Sequence, residues 1–328
     1  MAEGNYTRGT WLDRIAYVAV RCVICLIQSL SLETCDRWCK LLAVVLADWT
    51  TLRHDPTNRN LELVYGKLTE VQKSTLRRKM WHHLLLMVCE IAHAPRKIHR
   101  TNWREHFYMP QKNEVFRTMM DPRPTVLVTG HFGNFEVAGH TIGILGTPTA
   151  SIARPLDNPY LDNYICEFRS LGGQVILPKE GSAAAVQKVL ADGGLLGLLA
   201  DQFAGVKGCW VDFFGHPTSC HKALALFVLT ARAPMIVNYT RRLDRPLRFE
   251  MGTTGIADPS LLDADNVPAY LESVTELTAW YNERLEDAIR LAPEQYWWLH
   301  RRWRQIPAAQ RKRLEARRKK KERENAAA

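Results

Sequence analysis

Hydrophobic positions change texture along the chain. Residues 15–32 (IAYVAVRCVICLIQSLSL) are mostly apolar but contain Arg21, and a second apolar stretch, Leu41–Trp49, follows. A spanning helix needs about 20 predominantly apolar residues, and a central Arg is costly there. Trp11, Trp38 and Trp49 flank these stretches as interfacial aromatics do. The pattern therefore predicts a helical region, residues 1–50, that lies on a membrane surface or marginally spans it; a soluble amphipathic layer is the alternative. Over 50–100 the apolar residues take helical spacing, in Asn60–Tyr65 and Val71–Ala92, with Pro95 predicted to end the second helix.

From about residue 124 short apolar runs alternate with helical segments. Strands are expected at Thr125–Thr129, Pro148–Ala153, Val175–Leu177, Leu195–Ala200, Pro234–Thr240 and Leu247–Gly252. Helices are expected at 134–145, Asn158–Leu171 (closed by Gly172 and Gly173), Ser182–Ala191 (ended by Gly193 and Gly194), Lys222–Ala231 and Val267–Leu291. This alternation predicts an α/β fold, a sheet with helical crossovers. The expected organisation is a membrane-associating region 1–50, a helical lead-in 51–103, an α/β domain 104–305 and a basic tail 306–328.

Composition adds one asymmetry. The 328 residues are 46% hydrophobic and 24% charged, which excludes collagen-like, disordered and disulfide-scaffold classes. The net charge is +10, yet residues 301–328 alone hold twelve basic and three acidic residues, leaving 32 basic and 31 acidic for the rest. The basicity belongs to the tail, which suits anionic lipid, an acidic protein, nucleic acid or simple solvation; the near-neutral body, with no recognisable nucleic-acid module, argues against nucleic acid as the partner. Cys22-x2-Cys25 and Cys35-x3-Cys39 superficially resemble a zinc pattern. The first pair lies inside an apolar run without turn residues, where thiols are expected to act as small core hydrophobes, so no metal site is expected. Nothing requires disulfides, which suits a reducing compartment.

The candidate chemistry sits directly after the first strand, in Gly130-His131-Phe132-Gly133-Asn134-Phe135-Glu136. Five residues of regular helix turn about 500°, leaving two side chains about 140° apart. His131 and Glu136 converge only if the histidine is on the strand-to-helix loop and the glutamate in the first helical turns, a bend that Gly130 and Gly133 permit. Such a pair supplies a general base with a carboxylate that fixes its tautomer. There is no G-x-S-x-G nucleophile motif, so direct acyl transfer to an alcohol fits better than a covalent intermediate.

Several stretches then match, in order, those of a known family: GHFGNFE (130–136), Arg154-Pro155 with Asn158-Pro159, LADQ (199–202), VDFFG (211–215) and PEQYWWLHRRW (293–303), with Asn58–Leu61 suiting a helical lead-in. Over residues 55–305 the chain resembles the late (lauroyl/myristoyl) acyltransferases of lipid A biosynthesis, related to the phosphatidylinositol mannoside acyltransferases and to the wider glycerolipid acyltransferase group. The resemblance implies a mixed central sheet flanked by helices. It implies His131 as general base and Glu136 as its orienting acid. It also points to Arg154, Asn134, Asp201, Gln202, Arg301 and Arg302 as substrate-binding positions, with a structural or headgroup role favoured for the arginines of the closing motif. The implied donor is a fatty acyl thioester on acyl carrier protein or coenzyme A, with no other cofactor. The implied acceptor is a hydroxyl of a lipid A precursor or other glycolipid, and the implied location is the cytoplasmic face of the inner membrane, against anionic lipid. Thioester hydrolysis and acylation of phosphatidylinositol mannosides or other phospholipids are the alternatives. The chain departs from the family pattern at Phe203 and over Pro217–Lys222, where His221 and Lys222 add positive charge, so the usual acceptor is open to question.

Overall fold

The structure is a computed structural model that describes residues 9–178, 181–312 and 315–316. It begins with two amphipathic helices, α1 (Trp11–Ser29) and α2 (Leu32–Val44), the latter running into a π-helical turn Val45–Trp49. Thr10 and Asp13 form a reciprocal capping box at the start of α1. The lead-in is α3 (His54–Tyr65) and the long α4 (Glu70–Lys97). Pro95 does not end α4: it sits in the last turn, where few hydrogen bonds remain to be lost, and Ile98 N still reaches the Ala94 carbonyl at 2.8 Å.

The α/β part follows as α5 (Trp103–His106), β1 (Phe107–Tyr108), α6 (Lys112–Met119), β2 (Thr125–Thr129), α7 (Phe135–Ile144), β3 (Thr149–Ala153), α8 (Pro159–Leu171), β4 (Val175–Pro178), α9 (Ser182–Ala191) and β5 (Leu195–Leu199). Then come β6 (Cys209–Phe213), β7 (His216–Cys220), α10 (Lys222–Ala231), β8 (Met235–Arg242), β9 (Phe249–Ala257) and α11 (Val274–Leu291). The main sheet has seven strands in the order β1-β9-β8-β2-β5-β3-β4, parallel except for the antiparallel β8/β9 pair. The mixed sheet flanked by helices is thus present. β2 reads Thr-Val-Leu-Val-Thr, with residues 125–128 fully buried, as suits a central strand covered on both faces.

Two expectations change. The segment 209–220, read only as a motif, is an antiparallel hairpin, because its Phe214-Gly215 corner takes positive φ at both residues. The last long helix starts at Val274 rather than Val267: Pro268 opens a separate 3-10 turn, and Ser273 caps α11.

The main core joins Val126, Val128, Leu196 and Val237 of the sheet to Leu61 and Met80 of the lead-in and Tyr281 and Leu285 of α11. Among the described residues no helix is long and apolar enough to cross a membrane. Instead α1 has no buried residue and leaves Trp11, Ile15, Val18 and Leu26 exposed at helical spacing, and α2 with its π-turn leaves Trp38, Leu41 and Trp49 exposed. Cys22 and Cys25 are accordingly exposed rather than core residues, whereas Cys35 and Cys39 are buried against Cys89 of α4. Most of the basic tail lies outside the described residues.

Candidate active site

Strand register assembles the site. Thr129 at the end of β2 pairs with Leu199 at the end of the parallel neighbour β5, so His131 and Asp201 each follow two residues beyond a matched position. They meet at the carboxyl edge of the sheet, where open α/β folds bind ligands. Asp201 accepts from the His131 ring Nδ1 at 2.7 Å through Oδ1, and from the His131 backbone N–H at 2.8 Å through Oδ2. A side chain at Gly130 would crowd that carboxylate, its Cβ lying 3.2 Å from Oδ2.

The pair is polarised. Asp201 is fully buried, which disfavours its charge, yet His131 and its backbone N–H, with Arg302 behind, pull the pKa down to about 2. Burial likewise disfavours the His131 imidazolium, but the Asp201 carboxylate outweighs it and holds the His131 pKa above the ordinary histidine value; Glu136 adds a smaller contribution. With Nδ1–H committed to Asp201, the Nε2 lone pair is left to accept and meets the Gln202 side-chain amide at 3.2 Å. Phe135 and Trp297 flank the ring, and His300 lies parallel to it at 6.3 Å between centroids. Burial keeps His300 below the ordinary histidine pKa.

The loop that carries His131 is held from several sides. Trp297 N donates to the His131 carbonyl at 3.0 Å, Gly133 N to the Gln295 carbonyl at 3.0 Å, and Asn134 N to the Thr240 carbonyl at 2.9 Å. Gly133 has φ +60°, and a Cβ there would run into the Thr240 carbonyl. Gly133→Ala is therefore expected to destabilise the fold by more than about 2 kcal/mol, from left-handed strain plus overpacking. Thermal denaturation checks this; a wild-type melting midpoint would show that the loop has slack.

Not all the expected residues converge. Asp201 and Gln202 stand at His131. Glu136 does not bond to it: α7 begins at Phe135, and from its first turn Glu136 points to Arg169 of α8, with bonds of 2.5 and 3.1 Å. The carboxylate on the imidazole is Asp201, not Glu136. Asn134 is fully buried; its Oδ1 caps α7 at Val137 N, and its Nδ2 donates to Glu90, so both ends of its amide are engaged within the protein. Arg302 is buried too. It donates to the Gln202 carbonyl at 2.5 Å and to Cys220 Sγ at 3.0 Å, holding the Asp201-Gln202 corner from behind. Arg154 and Arg301 are exposed, Arg154 on the loop after β3 with only a loose contact to Asp157 at 3.4 Å. The closing motif is pinned by Asn60 of α3, which donates to the Trp298 and His300 carbonyls. His83, Glu90, Arg169 and Arg242, all buried or partly buried around the loop, were not anticipated. The sequence carries a signal for two of them: His83 and Glu90 are polar residues seven apart that bracket the apolar run Leu84–Cys89 of α4.

A family model described as bacterial lipid A biosynthesis acyltransferase matches residues 7–305, nearly the whole chain. The chain belongs to this family. Curated relatives agree. It is 24% identical to the lipid A biosynthesis lauroyltransferase of Escherichia coli K12 over 255 residues, 76% of this chain and 78% of the relative. It is 23% identical to the palmitoleoyltransferase of the same strain over 268 residues, 79% of this chain and 81% of the relative. A Shigella flexneri lipid A biosynthesis acyltransferase matches to the same extent. The chain is thus an acyltransferase of lipid A biosynthesis, a reaction that joins an acyl donor to a glycolipid acceptor.

Proposed function

We propose that this lipid A acyltransferase transfers a fatty acyl chain from a thioester, on acyl carrier protein or coenzyme A, to an acceptor hydroxyl, with His131 as general base and Asp201 as the residue that orients it. The His131–Asp201 pair carries this reading. A hydroxyl replacing the Gln202 amide at Nε2 gives up its proton there while its oxygen bonds to the thioester carbonyl carbon. When the tetrahedral intermediate collapses, the carbon–sulfur bond breaks and the sulfur leaves as thiol with the proton from the imidazolium. The buried carboxylate stabilises that imidazolium and keeps Nε2 as the accepting nitrogen. Glu136, paired with Arg169, acts through its field alone. Arg154 and Arg301, both exposed, are the arginines available to an anionic acceptor headgroup.

Purified protein supplied with acyl thioester is expected to release thiol in step with acylated acceptor, and to release little when the lipid is omitted. Equal thiol release with and without acceptor would favour the hydrolase instead.

The apolar faces of α1 and α2 support docking at the cytoplasmic surface of the inner membrane. Beside them the cluster Arg96, Lys97, Arg100 and Arg104 is exposed, and Lys97 shares a cleft with Leu30 and Leu32 of the α1–α2 turn. This suits apolar insertion beside anionic headgroups. Replacing Trp38, Leu41 and Trp49 together with Ser is expected to weaken binding to anionic vesicles by at least about tenfold, since each large apolar side chain buried is worth about 1.5–3 kcal/mol. Flotation with unchanged binding would rule this face out.

A further inference from the structure

α4 presents a buried polar face to the catalytic loop. Glu90 is fully buried, and its two oxygens accept four hydrogen bonds. Arg242 Nε donates at 2.6 Å, Arg242 Nη2 at 2.6 Å, Leu247 N at 3.0 Å and Asn134 Nδ2 at 2.9 Å. Two turns earlier, His83 Nδ1 accepts from Arg242 Nη1 at 3.0 Å. Arg242 closes the circuit through Gln295: its N–H donates to Gln295 Oε1 at 2.8 Å, and its carbonyl accepts from Gln295 Nε2 at 2.9 Å. Gln295 in turn holds Gly133.

A buried ion pair adds little net stability compared with apolar residues filling the same space. What this one does add is orientation. Asn134 has one amide with two ends: Oδ1 caps α7, and Nδ2 reaches Glu90. The carboxylate therefore fixes the amide, the start of α7, and the chain three residues after His131.

We propose that Glu90 is a positioning residue for the reaction: through Asn134 and Arg242 it clamps loop 131–134 so that the His131 ring stays on Asp201. This rests on the reading of His131 as the base. Glu90 touches no reacting atom, so its loss should lower turnover without weakening substrate binding.

The test uses the full chain in mixed micelles. Glu90→Gln is expected to lower kcat about 10–100-fold, with KM for thioester and acceptor within about threefold of wild type. Glu90→Asp, which keeps the charge beside Arg242 but shortens the reach to Asn134, is expected to lose turnover as well and covers a folding failure of the first variant. The reciprocal swap Glu90→Gln with Asn134→Asp restores the donor–acceptor pair between positions 90 and 134 with its ends exchanged but sets the new amide NH2 against Arg242 Nη2, so it is expected to recover part of the kcat lost in Glu90→Gln. NMR of labelled histidine supplies a readout independent of turnover: the His131 ring signal should move in Glu90→Gln and shift back toward wild type in the swap. A folded Glu90 variant with wild-type kcat and an unmoved His131 signal would overturn the proposal, as would a drop in melting temperature with turnover per folded molecule unchanged. If wild-type protein shows no transfer, the functional reading fails by itself, and the His131 signal alone still decides whether Glu90 is the clamp.

Discussion

His131→Ala is expected to lower kcat for acyl transfer by about 10²–10⁴-fold, the contribution typical of a positioned general base. The imidazole is the group placed to take the acceptor proton: its Nδ1 is committed to Asp201, and its Nε2 faces the Gln202 amide. Little else should change, because the loop is held by backbone bonds to Trp297, Gln295 and Thr240 rather than by the ring. The variant is expected to keep its melting midpoint within a few degrees and to bind vesicles normally. Steady-state kinetics beside thermal denaturation checks both halves. A folded variant with more than about a tenth of wild-type activity would move the base elsewhere.

Asp201→Asn is expected to produce a loss of similar size with a distinct pH signature. The carboxylate accepts from both the ring and the backbone N–H of His131. An Asn there cannot offer an oxygen to both, and turning its NH2 toward Nδ1 favours the tautomer with the proton on Nε2, where the base must be free. The same carboxylate raises the His131 pKa. A base works only when neutral, so the wild-type rate is expected to fall as pH drops through a value above the ordinary 6.5. Removing the negative charge lowers that pKa. The acid limb of kcat against pH should therefore move to lower pH in Asp201→Asn, while the plateau drops about 10²–10⁴-fold. An unmoved limb, or one moved upward, would deny the pairing. Glu136→Gln, which removes only a weaker field, should shift the limb much less.

The contrast between Asp201 and Glu136 shows how much a sequence carries. His131 was legible because the loop after β2 has a local signature: a buried Thr-Val-Leu-Val-Thr run, flanking glycines and a polar residue that caps the next helix. Its carboxylate was sought five residues on because proximity along the chain is all that spacing can report. The true partner lies seventy residues away, and only the register of β2 on β5, Thr129 opposite Leu199, brings it alongside. The sequence marks Asp201 as a site residue, but not its contact with the His131 ring.

Arg302 fits the structural side of the role expected for the closing motif, and Asn134 is engaged in capping α7 and in bonding Glu90. Their burial follows from the packing of the β6–β7 hairpin and α4, elements joined to the site only in three dimensions. Elements with strong local patterns, such as Lys222–Ala231 and Thr125–Thr129, were placed to the residue. The two-residue strand β1 has no such pattern: it exists because β9 offers an edge for Phe107 and Tyr108.

The most direct test of the central claim is mass spectrometry of membrane lipids from cells making either the wild-type chain or His131→Ala. The account predicts a lipid in the wild-type extract heavier by one acyl chain than its counterpart in the variant extract, with the mass difference giving the chain and the lipid class giving the acceptor. Identical lipid spectra, with both proteins folded and membrane-bound, would contradict it.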